Sequence, residues 1–301
     1  MEVSDRALGP TFVIAGAARS GTTALYQALR HHPEVFMTSV KEPNYFAALT
    51  PSFPHAGAGS RPAYMTSLAG YLGLFACSES FKARGEVSPA YLYYPGTAGE
   101  IKRSFPECRV AIVLRNPVDR AVSHYRALTN IGRERRSFEV AFRASMEGRE
   151  QGFAWKDYAG TGLYADRIAE YLNTFGRDRV RVWTFDTLQT QPADVLAELC
   201  GLIGVAPLDP ASISRRWNSS EADVLRLLAP LRRHRPLLAQ TVEILIREKL
   251  PAPASQVVRT LLLSHPVRVP ASSLDAVHQF YRQDVLRLRT LLPDLDLSAW
   301  V

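Results

Sequence analysis

Residues 11 to 30, TFVIAGAARSGTTALYQALR, constrain the fold more than any other part of the chain. Thr11, Phe12, Val13 and Ile14 make a short β-branched and aromatic run of the kind that fills a buried parallel strand, and Ala15 and Gly16 end it. Leu25, Ala28 and Leu29 then recur at helical spacing, which predicts a helix starting between Ser20 and Thr23 with that face against a sheet. A strand, a turn bracketed by Gly16 and Gly21, and a helix in this order predict an α/β fold. Its centre is a mostly parallel sheet flanked by helices.

The same stretch predicts an anion site. The first amides of a helix have no partner within it, and they point into the preceding loop at the positive end of the helix dipole. The side chains of Arg19, Ser20, Thr22 and Thr23 add donors there. The spacing from Gly16 to Gly21, followed by Thr22 and Thr23, matches a nucleotide-binding P-loop except that Thr22 stands where the lysine belongs. A nucleotide triphosphatase or kinase uses that lysine on the β- and γ-phosphates, so its loss counts against both. The other reading of the loop is a small-residue turn that binds nothing.

A second anion site comes from RVAIVLRNPVDRAVSHYRAL. Val110 to Leu114 read as a buried parallel strand, Arg115 and Asn116 lie at its carboxyl end, and Pro117 suits the first position of a helix. On that helix Arg120, Ser123, His124 and Arg126 offer donors. Arg115 is either part of a ligand site or an ordinary strand-end ion pair. Two such sites on one cleft imply a ligand phosphorylated at two places. Between the two stretches, Val35, Phe36 and Met37 predict a strand, and Lys41, Glu42 and Pro43 fall where it leaves the sheet. Lys41 and Glu42 are there as a functional pair or as an exposed ion pair. Glu86, Val87 and Ser88 end another strand, which Pro89 breaks.

Of the 301 residues 47% are hydrophobic and 22% charged, which allows a large core. With no linker composition and no internal repeat, residues 1–10 read as a tail and 11–301 as one domain with long insertions. The net charge of +7 favours anionic ligands, but Lys and Arg are dispersed, which argues for a small molecule over a nucleic acid. The cluster Arg232, Arg233, His234 and Arg235 is either a solvated helix end or an acceptor-side patch. Cys77, Cys108 and Cys200 are sparse and follow no metal-binding pattern, which fits a reducing compartment. No signal-like N-terminus and no apolar run of about 18 residues is present, so a cytoplasmic protein without membrane insertion is expected.

Elsewhere the pattern predicts a Pro- and Gly-rich surface loop over 50–63 that covers the cleft, and a helix from Ala63 to Phe75. A strongly charged, partly mobile segment is expected from Arg133 to Arg149. GLYADRIAEYLNTF predicts an amphipathic helix, VRVWTF a strand and QPADVLAELCGLIGV a helix ending near Gly204. A mostly helical C-terminal third completes the chain. The polar loop at Trp217, Asn218, Ser219 and Ser220 either folds over a nucleotide or merely connects.

These stretches resemble a known family, the sulfotransferases that use 3′-phosphoadenosine 5′-phosphosulfate as donor. GAARSGTTAL is similar to the family's 5′-phosphosulfate loop, AIVLRNPVDRAVSHY to its 3′-phosphate motif, and KEPNYF to the KEPHFF stretch of the branch that acts on heparan sulfate. GEVSPAYLY, GLYADRIAEYLNTF and the terminal FYRQDVLRLRTLL with Trp300 fall in the order of that branch, so the likeness spans most of the chain. The resemblance assigns Arg19, Ser20, Gly21, Thr22 and Thr23 to the phosphosulfate and Arg115 and Ser123 to the 3′-phosphate. It makes Glu42 the general base, with 3′-phosphoadenosine 5′-phosphate (PAP) as the product and no metal required. The implied acceptor is a hydroxyl on a carbohydrate, glycolipid or secondary metabolite.

The chain departs from that branch at three points. Arg19 replaces a lysine that assists the leaving group; a guanidinium keeps the charge but does not readily give up a proton, so Arg19 acts by electrostatics, together with Lys41. Ala47 replaces an acidic residue after KEPHFF, which removes an acceptor-side carboxylate. The cysteine pair and anchor of the Golgi enzymes are missing, which points to a bacterial-type cytoplasmic enzyme. Cytosolic small-molecule sulfotransferases use histidine as the base, so His55 and His124 stand as alternatives to Glu42. Tyr45, Phe46, Tyr91, Tyr93 and Tyr94 either stack on the acceptor or belong to the core. A P-loop kinase or triphosphatase and a non-catalytic nucleotide binder are the competing functions, and monomer and homodimer are both open.

Overall fold

In the computed structural model the described residues are 8–53, 65, 67–130, 132–149, 156–208 and 269–300. Strands β1 (Phe12–Gly16), β2 (Val35–Met37), β3 (Ala83–Val87), β4 (Arg109–Leu114) and β5 (Val180–Thr184) pair in parallel in the order β2-β3-β1-β4-β5. Parallel strands need crossovers, and those present here are largely helical: α1 (Thr22–Leu29), α2 (Tyr45–Ala48), α3 (Leu68–Gly73), α4 (Thr97–Ser104), α5 (Pro117–Asn130), α6 (Phe138–Met146), α7 (Ala165–Phe175), α8 (Phe185–Thr190) and α9 (Pro192–Ile203). Near the C-terminus lies α10 (Asp275–Leu291).

Side chains alternate across each strand, so the sheet buries both faces. Phe12, Ile14, Ala111 and Val113 pack against Leu25 and Leu29 of α1 and against Val195, Leu196 and Leu199 of α9. On the other face Val13, Ala15, Val110, Ile112 and Leu114 meet Ile101 of α4, Val118 of α5, Ile168 and Tyr171 of α7, and Tyr281, Val285 and Leu288 of α10. The central position of β1, with β3 on one side and β4 on the other, sets the carboxyl ends of all three side by side. In open parallel sheets the ligand crevice lies at such a point.

The strands fall where the apolar runs place them, within one or two residues. The charged segment from Arg133 to Arg149, expected to be partly mobile, contains α6. Ser137 caps it by accepting from the Val140 amide, and Phe138, Ala141 and Phe142 are buried. Its charges lie on the outer face and conceal an apolar stripe at helical spacing. The helix expected from Ala63 to Phe75 is Leu68–Gly73, started by Ser67, whose hydroxyl accepts from the Gly70 amide.

Much of the cleft-covering loop expected over 50–63, with His55, lies outside the described residues, as do Trp217 to Ser220 and Arg232 to Arg235. Cys77, Cys108 and Cys200 are free thiols, the last two buried. Among the described residues no helix is long and apolar enough to cross a membrane.

Candidate active site

Gly16 ends β1 in a place with no room for a side chain, since a Cβ there would lie 2.6 Å from the Cβ of Leu92. The Ala17 amide donates to the Val113 carbonyl at 2.7 Å and ties the following loop to β4. Arg19, with φ 70°, and Gly21, with φ 87°, turn the chain through left-handed conformations, and α1 starts at Thr22. Ser20 is fully buried and its Oγ has no hydrogen-bond partner among the described residues. A buried hydroxyl left unpaired beside a helix N-terminus fits an anionic oxygen that completes it. Thr22 is also buried, whereas Thr23 is exposed.

From β4, Arg115 reaches back to this loop. Its Nη1 donates to the Arg19 carbonyl at 3.4 Å, and its guanidinium lies 4.7 Å from the centre of the Phe185 ring. Arg19 in turn donates from Nε to Ser123 Oγ at 3.4 Å. Two guanidinia, a serine hydroxyl and a helix N-terminus thus converge at the adjoining ends of β1 and β4, a setting that attracts a polyanion.

Two of the donors expected from α5 are turned away from it. Arg120 is fully buried, donating from Nη2 to the Tyr158 carbonyl and facing His124 Nδ1 at 3.3 Å. His124 is 6% exposed and packs edge-on to Tyr158. Helical geometry explains the split: Arg120 and His124 are one turn apart on the core face, while Ser123 sits beside that face, towards Arg19.

On the other flank of β1, the loop after β2 runs along the carboxyl end of β3, with Thr38 N–H donating to Gly85 O at 3.1 Å and Glu42 N–H to Val87 O at 2.9 Å. Lys41 Nζ and Glu42 Oε1 form an ion pair at 2.7 Å, with side chains 28% and 46% exposed. Glu42 is therefore open to a hydroxyl arriving from solvent. The neighbouring aromatic residues are mostly core: Tyr45, Phe46, Tyr91 and Tyr94 are buried, and Tyr93 donates to Asp157 Oδ2 at 2.7 Å. Tight packing of α2 against α4 and the turn after β3 consumes rings that sequence alone leaves available for stacking.

Phe185 is a neighbour of the candidate site that the motifs do not reveal. A Cβ on Gly21 would meet its ring at 3.1 Å, so the ring touches both the loop and Arg115. Its only signal in the sequence is its place at the carboxyl end of the run VRVWTF.

Fold and site together define a parallel α/β protein with a basic, donor-lined crevice at the switch point of its sheet. A family model described as "Sulfotransferase family" matches residues 10–210, and the chain belongs to that family. It is 31% identical over 116 residues to the membrane-associated sulfotransferase kil1 of Dictyostelium discoideum, an alignment covering 38% of this chain and 22% of that protein. It is 26% identical over 197 residues to heparan sulfate glucosamine 3-O-sulfotransferase 6 of Mus musculus, covering 65% of this chain and 52% of the relative. The chain spans about half, or less, of the length of these curated relatives. Among solved structures it resembles a sulfotransferase from Alicyclobacillus acidocaldarius, with a TM-score of 0.73 and 27% identity over 97% of this chain and 99% of that one. A mouse sulfotransferase, SULT7A1, solved in complex with PAP, shares the fold at a TM-score of 0.51 and 12% identity, covering 92% of this chain and 84% of the other.

Proposed function

We propose that this protein transfers the sulfuryl group of 3′-phosphoadenosine 5′-phosphosulfate to a hydroxyl of a carbohydrate, glycolipid or secondary metabolite. The observation that carries the proposal is the convergence of Arg19, Arg115 and Ser123 beside the buried, unpartnered hydroxyl of Ser20. One doubly phosphorylated ligand satisfies all of these groups at once. The α1 N-terminus with Arg19, Ser20, Gly21, Thr22 and Thr23 holds the 5′ end, and Arg115 with Ser123 holds the 3′-phosphate.

The donor brings an activated sulfuryl group, and the protein supplies position and charge. Arg19 and the loop amides neutralise the charge that develops on the departing phosphate. Glu42 removes the proton of the acceptor hydroxyl as its oxygen attacks in line, and Lys41 orients that carboxylate through their ion pair. Exposure supports Glu42 over His124, because the buried imidazole is engaged with Arg120 and Tyr158. Membership of the sulfotransferase family, with Thr22 in the lysine's place, supports sulfuryl transfer over a P-loop kinase or triphosphatase. A carbohydrate acceptor draws support from the relatives named for heparan sulfate and from carbohydrate sulfotransferase 15 of Rattus norvegicus, 23% identical over 266 residues.

Thermal unfolding with saturating PAP or ATP tests donor recognition, and transfer from radiolabelled donor to sugars, phenols and lipid extracts tests the reaction. A PAP shift well above that of ATP, with label in a hydroxyl-bearing product, is expected. Equal shifts, or magnesium-dependent ATP turnover, overturn the proposal.

A further inference from the structure

Among the described residues Glu86 is a completely buried carboxyl that the scheme above does not use. It lies in β3 next to Val87, is completely buried, and collects three hydroxyl donors: Ser88 Oγ to Oε2 at 2.6 Å, Tyr71 to Oε1 at 3.1 Å, and Tyr91 also to Oε1. Burying a carboxyl at a strand end is costly, and apolar side chains fill the equivalent positions of β1 and β4. Burial is the main reason its pKa is pushed up to about 7; the three hydroxyls oppose the shift, and the charge of Glu42 adds to it. Glu42 is the charged group that acts on it, and the titratable groups facing it, whose ionisation its charge opposes, are Tyr71 of α3, Tyr91 of the turn after β3, Cys108 before β4 and Tyr171 of α7.

The network leads from Glu86 to the loop that carries Glu42. Ser88, held by Glu86, accepts from the Asn44 amide at 3.1 Å; the Asn44 side chain donates from Nδ2 to the Glu42 carbonyl at 2.8 Å. The Glu42 amide is bound to the Val87 carbonyl. Glu42 and Asn44 both have positive φ, 60° and 54°, on either side of Pro43. Asparagine tolerates that conformation, but glutamate seldom adopts it, and it persists only where its surroundings over-determine it.

We infer that Glu86 is a positioning residue: through Ser88 and Asn44 it fixes the left-handed backbone that aims Glu42 into the cleft. This inference rests on Glu42 being the base in the reading proposed above.

Two variants test it, Glu86→Gln and Ser88→Ala, each compared with wild type by amide hydrogen exchange and by kinetics with the donor and an acceptor from the label screen. Exchange is expected to accelerate in peptides spanning 38–48 and to stay unchanged in those spanning 11–30. The kcat is expected to fall roughly ten- to a hundredfold while the donor KM stays within about twofold, the signature of a misplaced group rather than a damaged donor site. Unchanged exchange at 38–48 in both variants overturns the inference. So does a rise in donor KM matching the loss of kcat. If Glu86→Gln does not fold, Ser88→Ala decides alone, because it cuts the same link without touching the carboxyl. A wild type that transfers no label refutes the sulfotransferase reading, and the exchange result still decides whether Glu86 holds the loop.

Discussion

Arg115 donates from Nη1 to the main-chain carbonyl of Arg19, 96 residues earlier in the chain. This bond joins the loop after the central strand to the end of its neighbour. It leaves the rest of the Arg115 guanidinium for an anion and fixes where Arg19 can point. In the proposed function, a donor that bridges the two strand ends depends on this junction.

Replacing Arg115 with Ala is therefore expected to weaken donor binding more than it slows the chemical step. A hydrogen bond to a charged group is worth about 1.5–3 kcal/mol, which predicts a roughly ten- to hundredfold rise in donor KM with a smaller change in kcat. Calorimetric titration with PAP checks it. An unchanged affinity removes Arg115 from the site.

Glu42→Gln separates catalysis from binding. The side chain is half exposed and paired with Lys41, so its amide replacement leaves the fold and the donor site intact. PAP should still raise the unfolding temperature as in wild type, while kcat drops about a hundredfold or more. Full turnover in this variant transfers the base to a histidine, and His55 is then the first to test.

The buried carboxyl of Glu86 makes a prediction about pH. Its pKa of about 7 in the fold lies above the 4.5 of an ordinary glutamate, chiefly through burial. Between these values the folded chain holds a proton that the unfolded chain has lost. The group's contribution to stability is fully present below pH ~4.5 and is lost as pH rises through ~7, at no more than about 1.4 kcal/mol per pH unit. Urea denaturation at pH 5, 6, 7 and 8 should show this decline in wild type and a flatter profile in Glu86→Gln. Parallel profiles for the two proteins contradict the assignment.

Gly21→Ala should cost more than Gly204→Ala. Both glycines are left-handed, with φ 87° and 77°, so each alanine pays the left-handed penalty of about 1 kcal/mol. A Cβ on Gly204 meets nothing within 4 Å among the described residues, whereas a Cβ on Gly21 would lie 2.9 Å from Leu188 Cδ2 and 3.1 Å from the Phe185 ring. Equilibrium unfolding of both variants measures the difference. PAP binding should weaken in the first and not in the second.

Local pattern determined much of this protein. The short apolar runs at 12–16 and 110–114 are buried throughout, as parallel strands covered by helices on both faces are. The glycines at 16 and 21 and Pro117 mark where loop gives way to helix, so two candidate anion sites could be placed at strand ends from spacing alone, and only the family resemblance linked them to a donor. These signals are legible because hydrophobic periodicity, glycine conformation and helix starts act over a few residues. Only tertiary structure decided which side chains reach the cleft. It turned Arg120 and His124 into the core, spent Tyr45, Phe46, Tyr91 and Tyr94 on packing, brought Phe185 to the loop, and put Glu86 beneath the segment that bears Glu42. Those outcomes depend on the strand order and on contacts between residues far apart in sequence. No local pattern encodes them, because a helix face or a ring is committed only when a partner from another element arrives.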